Sequence, residues 1–220
     1  MEVVPYLLPG LLLFAVLVLF PFLFNLYISI TRYNIMPGTP NPFVGFTNYL
    51  KAFSDTKVGL AFRNTALYSL VTVPGQMVLG ILVAVLLNSV TRGKITFRTL
   101  YYIPVITSWV VVSLIFKYLF QSGKAGLINF FFLSLFRINP INWLQNTWTA
   151  NFVIWCPGIW KGIGWVMVVF LAGLQSVPQT LYEAAEIDGA GFWKRFFQIT
   201  LPLVLPVIFF LVIMLLIGSF

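Results

Sequence analysis

Long uncharged runs broken by short polar stretches organise this chain. No charged residue falls between Glu2 and Arg32. At 1.5 Å per residue about 20 helical residues cross the ~30 Å hydrocarbon of a bilayer, so this run predicts a first membrane span over Tyr6 to Ile30. Pro9 and Pro21 lie inside it as kinks that neighbouring helices can tolerate. Met1 and Glu2 supply no basic flank and the apolar run outlasts a signal-peptide core, so the segment reads as a retained span.

Thr31 to Arg63, with Pro37, Pro40 and Pro42, reads as a loop in which "FVGFTNYLKAF" (Phe43 to Phe53) lies on the membrane interface. A second uncharged run, Asn64 to Thr91, predicts span two with a break at Pro74-Gly75. The basic connector "TRGKITFR" leads to span three, Thr99 to Phe120. The uncharged stretch Ala125 to Phe136 is too short to cross and predicts a surface-lying or partly inserted helix. Span four covers Thr149 to Leu174 and span five Leu203 to Phe220. The fold class is therefore all-α, a multi-pass transmembrane helical bundle of about five spans.

Composition agrees: 60% of residues are hydrophobic and 8% charged, against about a quarter charged in soluble domains. The net charge of +8 is scattered over loops, which points to anionic lipid headgroups and away from nucleic acid. There is no His and one cysteine, Cys156, so the usual general base, the usual metal ligand and an internal disulfide are all lacking. Paired carboxylates within spans and a phosphate-cradling glycine loop are also missing. No catalytic residue, metal or cofactor is expected, and the chain does not read as an enzyme. Lys/Arg counts leave orientation open, since the longer loops hold more basic residues and the shorter ones hold them more densely.

Three of the five acids, Glu183, Glu186 and Asp188, fall within six residues between spans four and five. Thr180 with Glu183 forms a capping-box pattern, and Ser176 with Pro178 offers a start one turn earlier. Ala184 and Ala185 favour helix, and Asp188-Gly189 supplies a left-handed stop. Phe192, Phe196 and Ile199 then recur at helical spacing until Pro202. The segment is either a solvated loop kept out of lipid by its charges or a docking element for a water-soluble partner, in which small alanines allow close approach.

"EAAEIDGAGFWKRFFQITLP" resembles the EAA signature of permease subunits of binding-protein-dependent ATP-binding cassette importers: E-A-A, three residues, G, nine residues, I-x-L-P. Glu183, Ala184, Ala185, Gly189, Ile199, Leu201 and Pro202 occupy every fixed position. "YLLPGLLLFAVLVLFPFLFNLYISITRYN", "FRTLYYIPVITS" and "IWKGIGWVMVVFLAGLQSVP" look like the sugar-transporting branch. The resemblance implies one importer transmembrane domain over residues 1–220, in a prokaryotic cytoplasmic membrane. Within it, 176–202 is a cytoplasmic segment that couples to the ATPase through the matched residues and Asp188.

The implied partners are ATP-binding cassette ATPase subunits, a second permease expected to be a homologous heterodimer partner, an extracytoplasmic solute-binding protein and membrane lipid. The implied orientation puts the second and fourth loops inside. Family members continue past this loop with further spans and carry a basic N-terminus, so the chain is expected to be truncated after Phe220. A stand-alone secondary transporter or channel is the alternative, and it would need carboxylates or broken-helix ion sites within the spans.

Two expectations concern residues inside spans. Lys161 lies 14 residues from Gln175, about 21 Å at helical rise, where it can snorkel or make a structural contact. Trp109, Trp155, Trp160 and Trp165 are candidates for the aromatic lining of a sugar path and Asn151, with Asn64, Gln76, Asn88 and Gln175, for its hydrogen-bonding groups, although Trp also belongs at membrane interfaces and amides also join helices.

Overall fold

The computed structural model describes residues 4–36, 38–90 and 92–220. Glu2 at the start of the first uncharged run, Pro37 of the first loop and Thr91 of the connector lie outside the described residues. The chain divides into two compact units, residues 1–64 and 65–220. Among the described residues the structure is helical, with one isolated β-bridge between Thr31 and Phe43.

In the first unit, α1 (Val4–Phe14) and α2 (Phe20–Ser29) join through a π-helical turn, Ala15–Leu19, into a continuous apolar span from Tyr6 to Ser29. The π turn has a local cause. Pro21 lacks an N–H and its ring would press on the carbonyl one turn back, so the helix widens by one residue and Phe20 N–H donates to Ala15 O. The end of the span is closed by α3 (Thr47–Ser54). Asn48 Nδ2 donates to the carbonyls of Ser29 and Thr31, both at 2.9 Å, and Tyr49 Oη to Ser29 Oγ at 2.8 Å. These side chains satisfy groups that a helix end leaves open.

The second long helix, α4 (Thr56–Ser89), begins eight residues before the expected Asn64. Its 34 residues reach about 51 Å, more than the ~30 Å hydrocarbon needs, so its charged first turns with Lys57 and Arg63 extend past the core. It also runs unbroken through Pro74, where the sequence suggested a break. Thr72, Val73, Gln76 and Met77 are all buried around that proline. Packing holds the turn, and one missing backbone bond does not open it.

Span three is where the linear reading fails most. Instead of one rod there are two helices, α5 (Lys94–Ile106) and α6 (Trp109–Leu119), meeting at 95°. Thr107 is extended, and Ser108 caps α6 by accepting from Val110 N–H. The bend exposes carbonyls at the end of α5. Lys161, reaching across from α8 (Thr147–Leu174), donates to the carbonyls of Pro104 (2.8 Å), Val105 (2.9 Å) and Thr107. Its ammonium also sits 5.1 Å from the centre of the Trp109 ring. A cation at a helix C-terminus complements the macrodipole as well as the individual acceptors. Of the two expectations for Lys161, the structural contact is the one observed.

Beyond α6, the short helix α7 (Leu127–Phe136) matches the expected non-crossing segment. Asn129, 1% exposed, ties the following loop to it. Its Oδ1 accepts from Trp143 Nε1 and Ile141 N–H, while its Nδ2 donates to the carbonyls of Gln121, Gly123 and Ile141.

After α8 come α9 (Gln179–Ile187), α10 (Phe192–Arg195), a π turn (Phe196–Thr200), α11 (Leu201–Leu203) and α12 (Leu205–Ser219). The π turn again precedes a proline by two residues: Leu201 N–H donates to Phe196 O, and Pro202 follows. Pro202 does not end the helix as expected. The chain turns at Val204 instead, with 68° between Phe192–Leu203 and Leu205–Ser219.

Among the described residues three helices are long and apolar enough to cross a membrane, and up to five if each bent pair counts as one span. The core of this unit lies between α4, α8 and α12 and includes Met77, Ala84, Met167, Phe170, Leu171, Val204 and Leu211. In lipid, where apolar surface has little to gain by association, small residues and polar links hold helices together. Accordingly Gly164 lies against the Tyr101 carbonyl, where a Cβ would overlap it. Gln76 Nε2 donates to Gly158 O at 3.2 Å, and Ser69 Oγ pairs with Ser219 Oγ at 2.7 Å.

Two outcomes follow. Lys161→Met leaves the carbonyls at the bend without their donor and lowers stability by about 2–3 kcal/mol, while Lys161→Arg retains most of it, as thermal unfolding in detergent would measure. Gly164→Val forces α5 from α8 and costs about 1–3 kcal/mol in the same assay, whereas Gly10→Val, in open space, changes little.

Candidate functional site

The acidic segment leaves the last buried turn of α8 through Leu174 and Val177, both in the core. Pro178 occupies the N-cap of α9 with φ −59°, and no side chain caps it. The expected capping box is therefore not formed. The helix starts at Gln179, which makes Glu183 its fifth residue, too far along to reach the open N–H groups. Gln179 and Thr180 are exposed, so water can serve those donors.

The far end follows the expected stop. Gly189 adopts φ +71°, a conformation that β-carbon-bearing residues rarely take. Ala190 N–H donates to Ala185 O at 2.8 Å and Gly189 N–H to Glu186 O at 3.0 Å. This pair of reversed bonds is the Schellman closure, and it turns the chain sharply into α10.

One face of the hairpin is bound to the spans. Tyr182 and Ile199 pack on the core, and Tyr182 Oη pairs with Thr200 Oγ1 at 2.8 Å. Thr200 is 5% exposed, so this bond joins α9 to the buried start of the last span. Leu201 is half-buried beside it and Pro202 exposed. The other face is free: Glu183, Ala184, Glu186 and Asp188 are exposed, and Ala185 half-exposed.

Ile187 stands out among them at 88% exposed, an apolar side chain at the tip of a carboxylate-bearing helix. The sequence reading passed over it, although its position between Glu186 and Asp188 was the available signal. Glu186 Oε2 lies 3.5 Å from Nη1 of the half-buried Arg195, and because the carboxylate side of the pair is largely exposed it contributes little. The face thus combines an exposed aliphatic anchor, small alanines and three carboxylates on a rigidly closed hairpin.

The residues proposed for a solute path are scattered. Trp109 lines a cavity of about 270 Å³ together with Tyr68, Gln76, Lys161, Trp165 and Ser219. Trp160 instead packs on Phe116, with ring centres 5.7 Å apart, and borders a different cavity with Phe97 and Tyr101. Asn151 and Trp155 are half-buried on α8 and belong to neither lining. Trp165 and Gln76, both among the sequence candidates, do lie beside Trp109 here, whereas Tyr68 was missed because only the packing of α4 with α6 and α8 brings it there. Among the described residues no group of His, Cys, Asp or Glu could hold a metal.

Residues 76–220, which include the hairpin, match the model of the binding-protein-dependent transport system inner membrane component. The arabinooligosaccharides transport system permease protein AraP of Halalkalibacterium halodurans is 36% identical over 222 residues, covering 100% of this chain and 69% of the relative. The sn-glycerol-3-phosphate transport system permease protein UgpA of Yersinia enterocolitica is 36% identical over 220 residues, 98% of this chain and 72% of its own length. Among solved structures, a bacterial ABC transporter involved in the import of the acidic polysaccharide alginate superposes with a TM-score of 0.82 at 25% identity, over 96% of this chain and 70% of the other. The chain belongs to the family of inner-membrane components of binding-protein-dependent transport systems.

Proposed function

We propose that this protein is the permease subunit of an ATP-binding cassette importer for a sugar or related solute, and that α9 with its Gly189 turn is the handle by which a separate ATPase subunit moves it. The observation that carries this reading is the two-sided hairpin. Its inner face is locked to the spans through Tyr182–Thr200, and its outer face offers Glu183, Ala184, Ala185, Ile187 and Asp188 to solvent. A rigid body held in this way transmits displacement where a floppy loop would absorb it. Ile199, Leu201 and Pro202 shape the base of the handle, carrying the chain into the turn at Val204.

Both compact units serve as one transmembrane domain that pairs with a second permease, and solute arrives from an extracytoplasmic binding protein. The relatives named for arabinooligosaccharide, glycerol-3-phosphate and alginate transport support a sugar-like solute. The cavity of Trp109, Trp165, Tyr68 and Gln76 offers aromatic faces and hydrogen-bonding groups to such a molecule. Trp160, Asn151 and Trp155 would contribute only where another subunit or conformation brings them to the path. ATP hydrolysis takes place in the ATPase partner. The rival reading, a stand-alone secondary transporter or channel, is less well supported: Glu2, Asp55, Glu183, Glu186 and Asp188 are the acids of the sequence and all fall outside the apolar spans, and the carbonyls at the broken helix α5–α6 are taken by Lys161 and not left for an ion.

Glu183→Lys reverses a charge at the contact and lowers ATP-dependent uptake of labelled solute about 30-fold or more. Gly189→Pro, which cannot hold the positive φ, does the same, with membrane insertion unchanged in both. Full uptake in either variant contradicts the handle.

A further inference from the structure

Two cavities adjoin where the end of α4 meets α10 and the second π turn. One, of about 520 Å³, is a groove walled by aliphatic and aromatic side chains, with Met77, Ile81 and Val85 on one side and Phe196, Phe197 and Leu201 on the other. Its neighbour, of about 320 Å³, is polar and is bordered by Asn88, Ser89, Gln179 and Arg195. Val85, Phe192 and Phe196 line both, so the two are continuous.

The dimensions identify the occupant. From Met77 to Leu86 the groove follows α4 for nine residues, about 14 Å, which matches one leaflet of a hydrocarbon layer about 30 Å thick. Its polar end lies where α4 leaves the apolar run, at the depth of headgroups. The charge there is basic. Arg195 spends one nitrogen on the largely exposed Glu186 and keeps its other donors, and Lys94 Nζ lies 3.4 Å from Asn88 Oδ1 at the same pocket. A guanidinium beside the Asn88 amide suits a phosphate diester, while the Ser89 hydroxyl is already spent on Leu86 O at 2.8 Å, and a leaflet-length apolar groove suits an acyl chain.

We propose that this composite site binds an anionic phospholipid of the leaflet that faces the hairpin, with its phosphate on Arg195 and the Asn88 amide and one acyl chain along α4. The lipid then forms part of the wall between the longest span and the second half of the coupling hairpin. The inference rests on the membrane placement of the chain and not on which solute it carries.

The test uses the assembled transporter, stripped of lipid and offered phosphatidylglycerol or phosphatidylcholine with the same acyl chains, with retained lipid weighed by native mass spectrometry. Phosphatidylglycerol is retained about fivefold more tightly, the effect of roughly one basic group near a headgroup. Arg195→Gln reduces it to the level of phosphatidylcholine, and Arg195→Lys keeps most of the preference. Leu82→Trp, which fills the groove, removes both lipids. Equal retention of the two lipids by the unaltered protein, an undiminished preference in Arg195→Gln, or displacement of the lipid by inorganic phosphate at equal concentration overturns the proposal. The readout is bound mass, so an error in the coupling role would abolish the effect of Glu183→Lys on uptake and leave these values unmoved.

Discussion

In hydrocarbon an unpaired backbone carbonyl costs several kcal/mol, and no water is present to relieve it. Among the described residues, the two π turns and the 95° bend are each accompanied by a specific remedy. The two π turns place the wider ring just ahead of Pro21 and Pro202, so each proline meets no crowded carbonyl. The 95° bend between α5 and α6 exposes several acceptors at once, and Lys161 covers them with a single ammonium from a neighbouring helix. Placing a charge within a span is expensive. Here it is offset by three carbonyls, a helix dipole and the face of Trp109.

The same economy governs the hairpin. Its two closing hydrogen bonds at Gly189 satisfy the last carbonyls of α9 without a side chain, which leaves Glu183, Glu186 and Asp188 available to a partner. Tyr182 and Thr200 then make the connection inward. Because Thr200 lies in the π turn just before Pro202 and the Val204 bend, on the proposed reading a push on α9 would be delivered at the least regular point of the final span. Energetic coupling between distant sites requires such a contiguous element with more than one arrangement.

What was legible in the sequence depended on whether the signal was local. Uncharged run length gave spans one, four and five to within a few residues, because solvent exclusion acts on every residue alike. The glycine stop was readable because a positive φ selects for glycine. The starts of α4 and α9 were not, since exposed polar turns can be helical or irregular at similar cost. Pro74 and Pro104 show the limit most clearly: one sits inside an intact helix and the other near a bend. The difference lies in the buried neighbours of Pro74 and in Ser108 capping a new helix, which hydropathy does not register. The Lys161 cluster, the Tyr182–Thr200 bond and the cavity joining Tyr68 to Trp165 all depend on residues brought together from distant parts of the chain.

The central claim, that the exposed face of α9 is the contact through which an ATPase moves this subunit, is tested most directly at Ile187. With Cys156→Ser, Ile187→Cys in the assembled transporter is expected to form a disulfide, under an added oxidant such as copper phenanthroline, with a cysteine introduced on the facing surface of the nucleotide-binding subunit, at a yield that changes when ATP is added. Absence of that cross-linked species, together with labelling of the cysteine by a membrane-impermeant thiol reagent applied outside intact cells, would contradict the account.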